Sequence, residues 1–229
     1  VTTRPTMARA IIIHGYAATP SDHWFGWLAE HLEAAGIPTL VPALPDPEAP
    51  DPKSWLNAAQ QIGVPDEDTI LIAHSLGCLT VLRYLAAQQE PWRLGTLILV
   101  AGFLDPLPAL PNLDDYIGEG CDVSSIPGRI GRLTVIRSDD DPYVPTDHTD
   151  RLAHQLMATP QVVTGAGHFL AADGVTAVPE VLEKALTAST PADSSTPHHR
   201  RACGQLTAQP ALPRPTVNGR AQIADAMTA

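Results

Sequence analysis

Short runs of aliphatic residues alternate along this chain with longer segments in which apolar positions recur every three or four residues. The runs are "AIIIHG", with a buried strand at residues 11–13, then "IPTLVPAL", "DTILIAHS", "GTLILVAG", "RLTVIRS" and "PQVVTG". Several are apolar at nearly every position, which suits strands of a parallel sheet covered on both faces; a half-exposed antiparallel strand would place a polar residue at every second position. Prolines at both ends of "PTLVP" limit how far that strand can extend its hydrogen-bond ladder.

The intervening segments supply the covering layers. In "SDHWFGWLAEHLEAAG", Trp24, Leu28, Leu32 and Ala35 share one helical stripe with Trp27 beside it, and Gly36 permits a stop. Further helices are predicted near residues 53–62, directly after Ser75, at 146–157 and at 179–188. Such alternation predicts right-handed crossovers and a three-layer α/β fold with a mostly parallel central sheet. A site is then expected beyond the carboxyl ends of the strands. From residue 189 the pattern stops, and a mixture of Pro, Ala, Ser and Thr lacks a sustained apolar period. The expected organisation is one globular domain over residues 1–188 and a disordered tail over 189–229, too poor in apolar groups to offset the entropy of ordering. The "HHRR" run in that tail reads as solvent-facing rather than as a metal or anion site.

Composition narrows the function classes. Of 229 residues, 44% are hydrophobic and 17% charged, enough apolar material for a core without staples. The formal net charge of -11 argues against a nucleic-acid partner, which would call for a concentrated cationic surface. Cys78, Cys121 and Cys203 match neither a disulfide framework nor a paired metal motif and are read as free thiols. The sequence has neither an apolar stretch of the roughly 18 residues that a membrane span needs nor a secretion signal at its start. A soluble, cytoplasmic protein that does not associate with membranes is expected.

The chemistry concentrates in "DTILIAHSLGCLTVLRYLAAQQ", where a strand runs into His74-Ser75-Leu76-Gly77 and a helix starts immediately behind. A serine on a tight strand-to-helix turn projects its hydroxyl above the sheet, with the helix N-terminus and the next backbone N–H facing any developing negative charge. Ala73 stands where the G-x-S-x-G pattern has its first glycine, but alanine is small enough for a close strand-helix approach. Serine also caps helices. Residues later in the chain favour the nucleophile, because a serine hydroxyl needs a base and the base needs an orienting acid. "LTVIRSDDDPYVP" places Asp139, Asp140 and Asp141 directly after one strand, and "VVTGAGHFLAADG" places His168 in a glycine-rich loop after the next. The order serine, acid, histidine is that of α/β-hydrolases.

With "HWFGWL", "LPDPEAPDPKSWL", "HSLG", "SDDDPYVP" and "GAGHF" in this order, residues 8–186 resemble the small serine hydrolase family of retinoblastoma-binding protein 9 and the bacterial YdeN proteins, within the α/β-hydrolase superfamily. The resemblance implies a reduced α/β-hydrolase fold without a large inserted cap, and cleavage of small carboxylic esters or related acyl compounds. It assigns Ser75, Asp140 and His168 as the catalytic residues. Asp140 follows from the family's Asp-Asp-Pro register, whereas counting back from "VP" would choose Asp141. The backbone N–H groups of Leu76 and Tyr16 form the expected oxyanion hole, Tyr16 being placed by the family pattern. His14 either touches substrate or fixes the first loop.

Residues 103–121, rich in Pro and Leu, either cover the serine or form a rigid connection, and with Phe169 they suggest a small uncharged acyl pocket. Trp24, Trp27 and Trp55 read as packing residues. The implied partners are a small acyl substrate and water; no cofactor or metal is called for, and no oligomeric partner is assigned. A G-x-G-x-x-G cradle and an H-E-x-x-H motif are both lacking, which argues against nicotinamide and zinc chemistry. The competing class is an α/β-hydrolase-fold protein acting mainly as a protein-interaction module.

Overall fold

The computed structural model describes residues 8–89 and 91–188. The tail expected over residues 189–229, with Cys203 in it, lies outside them. Six strands form one sheet: β1 (Arg9–Ile13), β2 (Thr39–Leu40), β3 (Thr69–His74), β4 (Leu94–Val100), β5 (Ile130–Ser138) and β6 (Gln161–Val163). Their order is β2-β1-β3-β4-β5-β6, and every pairing is parallel. Each expected strand is present. The second is cut to two residues between Pro38 and Pro42, which cannot donate to a ladder.

The helices are α1 (Phe25–Ala34), α2 (Pro52–Gln60), α3 (Leu76–Ala86), α4 (Asp114–Ile117), α5 (Thr146–Gln155) and α6 (Pro179–Ala188). Helix α2 starts where Pro52 presets the first turn and the Asp51 side chain accepts the Ser54 N–H at 2.8 Å. The near-continuous apolar character of the strands has a simple cause. Successive side chains point to opposite faces, and both faces are covered. Ala10, Ile12, Ile70, Ile72, Ile98 and Ile136 pack with Trp24 just before α1, Leu28 and Leu32 of α1, and Val181 and Ala185 of α6. Ile11, Ile13, Leu71, Ala73, Leu97, Leu99 and Val135 pack on the other face with Trp55 and Ala59 of α2, most of α3, and Leu152 and Ala153 of α5. Truncating one such Leu or Ile to Ala costs about 2–5 kcal/mol in a packed core. Trp24 and Trp55 are fully buried, as expected of packing residues.

Two consequences of this topology locate the chemistry. Because the strands are parallel, the loops after β1, β3, β5 and β6 all emerge at the same edge of the sheet. Because β2 and β3 lie on opposite sides of β1, the chain leaves β1 in one direction and returns on the other, and a crevice opens between the loops after β1 and β3. Among the described residues no large cap interrupts the alternation; the longest insertion at this edge, between β4 and β5, contains only α4 and two single-turn 3-10 segments.

Candidate active site

Strand β3 ends at His74 and α3 begins at Leu76, so Ser75 alone turns the chain from sheet to helix. It does so at φ 53° and ψ -125°. Such a positive φ costs a non-glycine residue about 1–3 kcal/mol, and persists only where the surroundings hold it. Here the Ser75 N–H donates to the Val100 carbonyl at 2.9 Å, and the Cys78 N–H donates to the Ser75 carbonyl at 2.9 Å. The Ser75 hydroxyl makes no capping bond to the helix. It lies 2.9 Å from His168 Nε2 instead. Close approach to the neighbouring strand demands glycine at two positions. A Cβ on Gly77 would lie 2.4 Å from the His14 carbonyl oxygen and 2.8 Å from that of Ile13, and one on Gly15 would lie 2.9 Å from Ser75 Cβ. Ala73, by contrast, sits in the strand with its methyl in the α2/α3 core, where the missing first glycine costs nothing sterically.

The other face of the His168 ring system is set by the loop after β5. Asp141 Oδ2 lies 2.7 Å from His168 Nδ1, and the two side chains are 4% and 7% exposed. Asp141 Oδ1 accepts two further bonds, from the N–H groups of Tyr143 at 2.9 Å and Val144 at 3.0 Å. This arrangement brings Asp141, not the expected Asp140, to the His168 ring. Asp140 turns toward backbone: its Oδ1 accepts the Ser138 hydroxyl and the Gly167 N–H, the latter at 2.8 Å. Those two bonds, the Ser138 one first, hold its carboxyl below the usual carboxylate range. Asp139 Oδ1 accepts the Gly165 N–H at 2.9 Å, and Ser138 Oγ accepts the Ala166 N–H at 3.1 Å. Thus Ser138, Asp139 and Asp140 fasten the backbone of the loop that carries the histidine, and only the third aspartate reaches the ring. On the far side of His168, Asp173 Oδ2 accepts the His168 N–H at 2.8 Å and the Leu170 N–H at 3.1 Å.

A hydroxyl, an imidazole and a carboxylate in hydrogen-bonded series, set at the carboxyl ends of three parallel strands, form the constellation that activates a serine for attack. The sequence matches the serine hydrolase family over residues 10–187. The chain belongs to the serine hydrolase family. It is 38% identical to YdeN of Bacillus subtilis (strain 168) over 173 residues, 75% of this chain and 91% of YdeN. It is 28% identical to the serine hydrolase RBBP9 of Rattus norvegicus over 167 residues, 72% of this chain and 88% of that protein. The crystal structure of the B. subtilis ydeN gene product matches with a TM-score of 0.75 at 36% identity, covering 80% of this chain and 98% of that one. Its activity is that of a serine hydrolase of the carboxylesterase-like type, served by the Ser75, His168 and Asp141 cluster.

In this hydrolase the N–H groups of Leu76 and Tyr16 have no hydrogen-bond partner among the described residues. Leu76 opens α3, where unpaired N–H groups and the helix dipole favour negative charge. The loop that carries Tyr16 is fixed by His14. The Leu44 N–H donates to His14 Nε2 at 2.9 Å, while His14 Nδ1 lies 3.0 Å from the Gly15 carbonyl. A carbonyl only accepts, so the proton sits on Nδ1 and the ring is neutral, in keeping with burial that lowers its pKa. Of the two roles open to His14, the structure shows the fixing one.

Residues 103–121 are a docked connection. Phe103, Leu107, Leu113, Tyr116 and Ile117 are buried in the α2/α3 core. The Arg83 guanidinium donates to the carbonyls of Tyr116 at 2.9 Å, Ile117 at 2.7 Å and Gly120 at 3.2 Å, satisfying the end of α4. Tyr116 OH lies 2.7 Å from Thr80 Oγ1 on α3. At the rim, Asn112 Nδ2–H donates to Tyr16 OH at 3.1 Å, tying this connection to the first loop. Phe169, expected beside an acyl pocket, is fully buried in the α1/α6 core at φ 59°, and the cavity it borders, with Val163, Ala166 and Val178, is lined by neither Ser75 nor His168. Sequence reasoning gave no role to His74, Ser138 or Asp173. The repeated acids and the glycines of "GAGH" hinted at a turn pinned through exposed N–H groups, but pairing them required the crossing of two distant loops.

Proposed function

We propose that Ser75 is the nucleophile, His168 the general base and then acid, and Asp141 the orienting carboxylate in hydrolysis of small uncharged carboxylic esters. The observation that carries this reading is the unbroken series from Asp141 Oδ2 through His168 Nδ1 and Nε2 to Ser75 Oγ, with spacings of 2.7 and 2.9 Å. Asp141 accepts the Nδ1 proton, leaving the Nε2 lone pair to face the hydroxyl. Ser75 Oγ attacks the ester carbonyl carbon while its proton passes to Nε2, and the carbonyl electrons move onto oxygen. The N–H groups of Leu76 and Tyr16 bind that oxyanion; one such donor is worth about 3–4 kcal/mol of barrier. Collapse expels the alcohol, which takes the proton from Nε2. Water then enters by the same steps in reverse, releasing the acid and restoring Ser75.

The preference for small acyl groups is supported by access: Ser75 is 6% exposed and His168 5%. Tyr143 packs edge-on against the His168 ring at 5.3 Å and narrows that side. Across p-nitrophenyl esters of increasing chain length, kcat/KM is expected to be highest for acetate to butyrate and to fall by about tenfold or more by octanoate. A steady rise with chain length would overturn the small-acyl reading while leaving the nucleophile in place.

The domain reading is likewise a proposal: residues 1–188 suffice for activity, since both core clusters and every site residue named above fall within them. A chain ending at Ala188 is expected to keep its thermal midpoint and kcat/KM within about twofold of the full chain. Loss of folding on truncation would show that residues 189–229 contribute to the domain. An intracellular setting is supported by the free thiols of Cys78 and Cys121. No described helix is long and apolar enough to cross a membrane.

A further inference from the structure

The residue before the nucleophile is a buried histidine that the mechanism above does not use. His74 is 1% exposed. Its ring is enclosed by Trp24 and Phe25, at centroid distances of 6.0 and 5.8 Å, by His23 at 6.0 Å, and by the His168 ring itself at 5.0 Å. His74 Nε2 lies 2.9 Å from the backbone carbonyl of His168, across 94 residues of chain. That oxygen can only accept, so Nε2 carries the proton. His74 Nδ1 then presents a lone pair with no partner among the described residues.

An orphaned buried acceptor costs about 1–3 kcal/mol. A phenyl ring of similar shape would fill the same space without that cost, so packing alone does not account for an imidazole here. What the imidazole adds is one directed bond, and it ends on the residue that carries the base. We propose that His74 is a positioning residue: its Nε2–H, donated to the His168 carbonyl, fixes the main chain from which the His168 ring reaches Ser75. The nucleophile and the base are thereby referenced to a single point, since His74 is the last residue of β3 and Ser75 follows it. Burial, with the neighbouring His168 ring as a lesser cause, keeps the His74 pKa well below its ordinary value, so the ring stays a neutral donor beside the imidazolium that forms at His168 in each turnover. The Ser138, Asp139, Asp140 and Asp173 contacts hold the N–H groups of the same loop; His74 holds the carbonyl at its centre.

This proposal rests on the assignment of His168 as base, and the test separates the two. His74→Phe keeps a ring and loses the donor, whereas His74→Gln keeps an N–H donor of similar reach. In the full chain, His74→Phe is expected to lower kcat and the rate of fluorophosphonate labelling by about a hundredfold, the cost of a misplaced catalytic group, with KM within about threefold of wild type. His74→Gln is expected to recover most of that loss. Unchanged kcat in folded His74→Phe would overturn the proposal, as would a loss that tracks thermal stability and is shared equally by both variants. Should His74→Phe fail to fold, 15N NMR of the wild-type imidazoles decides: a proton on Nε2 of His74 is expected, and a proton on Nδ1 overturns the proposal. Persistent hydrolysis in Ser75→Ala would instead defeat the site reading, whatever His74 does.

Discussion

Replacing Ser75 by alanine is expected to lower kcat for ester hydrolysis by about a million-fold and to abolish covalent labelling by a fluorophosphonate. The magnitude follows from serine hydrolases built on the same three-residue unit, where loss of the nucleophile leaves only the contribution of the oxyanion donors and substrate binding, about 10³–10⁴ over water. His168→Ala is expected to cost about as much, because an alcohol attacks an ester poorly unless a base takes its proton in the transition state. The double variant should be scarcely worse than either single one, since the two groups serve one step and their losses do not add. Purified variants with wild-type thermal midpoints, assayed on p-nitrophenyl acetate, provide the comparison. Hydrolysis by Ser75→Ala at more than about a hundredth of the wild-type rate would remove Ser75 as nucleophile. Additive losses in the double variant would separate the two residues into different steps.

The neighbouring aspartates offer a sharper test, because chemically identical substitutions one residue apart should differ by about three orders of magnitude. Asp141→Asn is expected to lower kcat/KM by about ten-thousand-fold. The reason lies in the bonds that Asp141 already makes. Its Oδ1 accepts the N–H groups of Tyr143 and Val144, so an asparagine there keeps its carbonyl oxygen on those donors and turns its NH2 toward His168 Nδ1. Two donors cannot share that contact. The ring must then carry its proton on Nε2, facing Ser75, and has no lone pair with which to accept the serine proton. Asp140→Asn leaves the ring partner untouched. An amide oxygen can still accept the Ser138 hydroxyl and the Gly167 N–H, so the loss should stay within about tenfold. Separate kcat/KM values for the two folded variants decide the matter, and a severe loss in Asp140→Asn with a mild one in Asp141→Asn would return the acid to the earlier position.

The alternative of a protein-interaction module sharing this fold gains no specific support from the site. A scaffold would not need a strained serine, two glycines that admit backbone within van der Waals distance, and four side chains devoted to fastening one histidine-bearing loop. Each of these features costs stability or sequence freedom and is accounted for by catalysis.

The sequence alone determined those properties of this hydrolase that repeat along a line. Strands apolar at nearly every position had to be covered on both faces, and the structure divides their side chains between the α1/α6 and α2/α3 cores accordingly. The turn at His74-Ser75-Leu76-Gly77 was legible because strand periodicity gives way to helix periodicity there and only glycine tolerates the approach of the His14 carbonyl. The order of serine, acid and histidine followed from three loops at the same ends of parallel strands. Tertiary structure alone decided which of three adjacent carboxylates meets the ring, that His14 fixes a loop, that Phe169 faces the core, and that His74 reaches the base. The physical reason is range. Faces and turns are set by neighbours a few residues apart, whereas the Asp141–His168 contact spans 27 residues and the His74–His168 contact 94. Consecutive residues of an irregular turn point in directions that no repeat encodes. Their partners are fixed only when two loops cross, so the carboxylate whose second oxygen finds the Tyr143 and Val144 N–H groups is the one turned toward the imidazole.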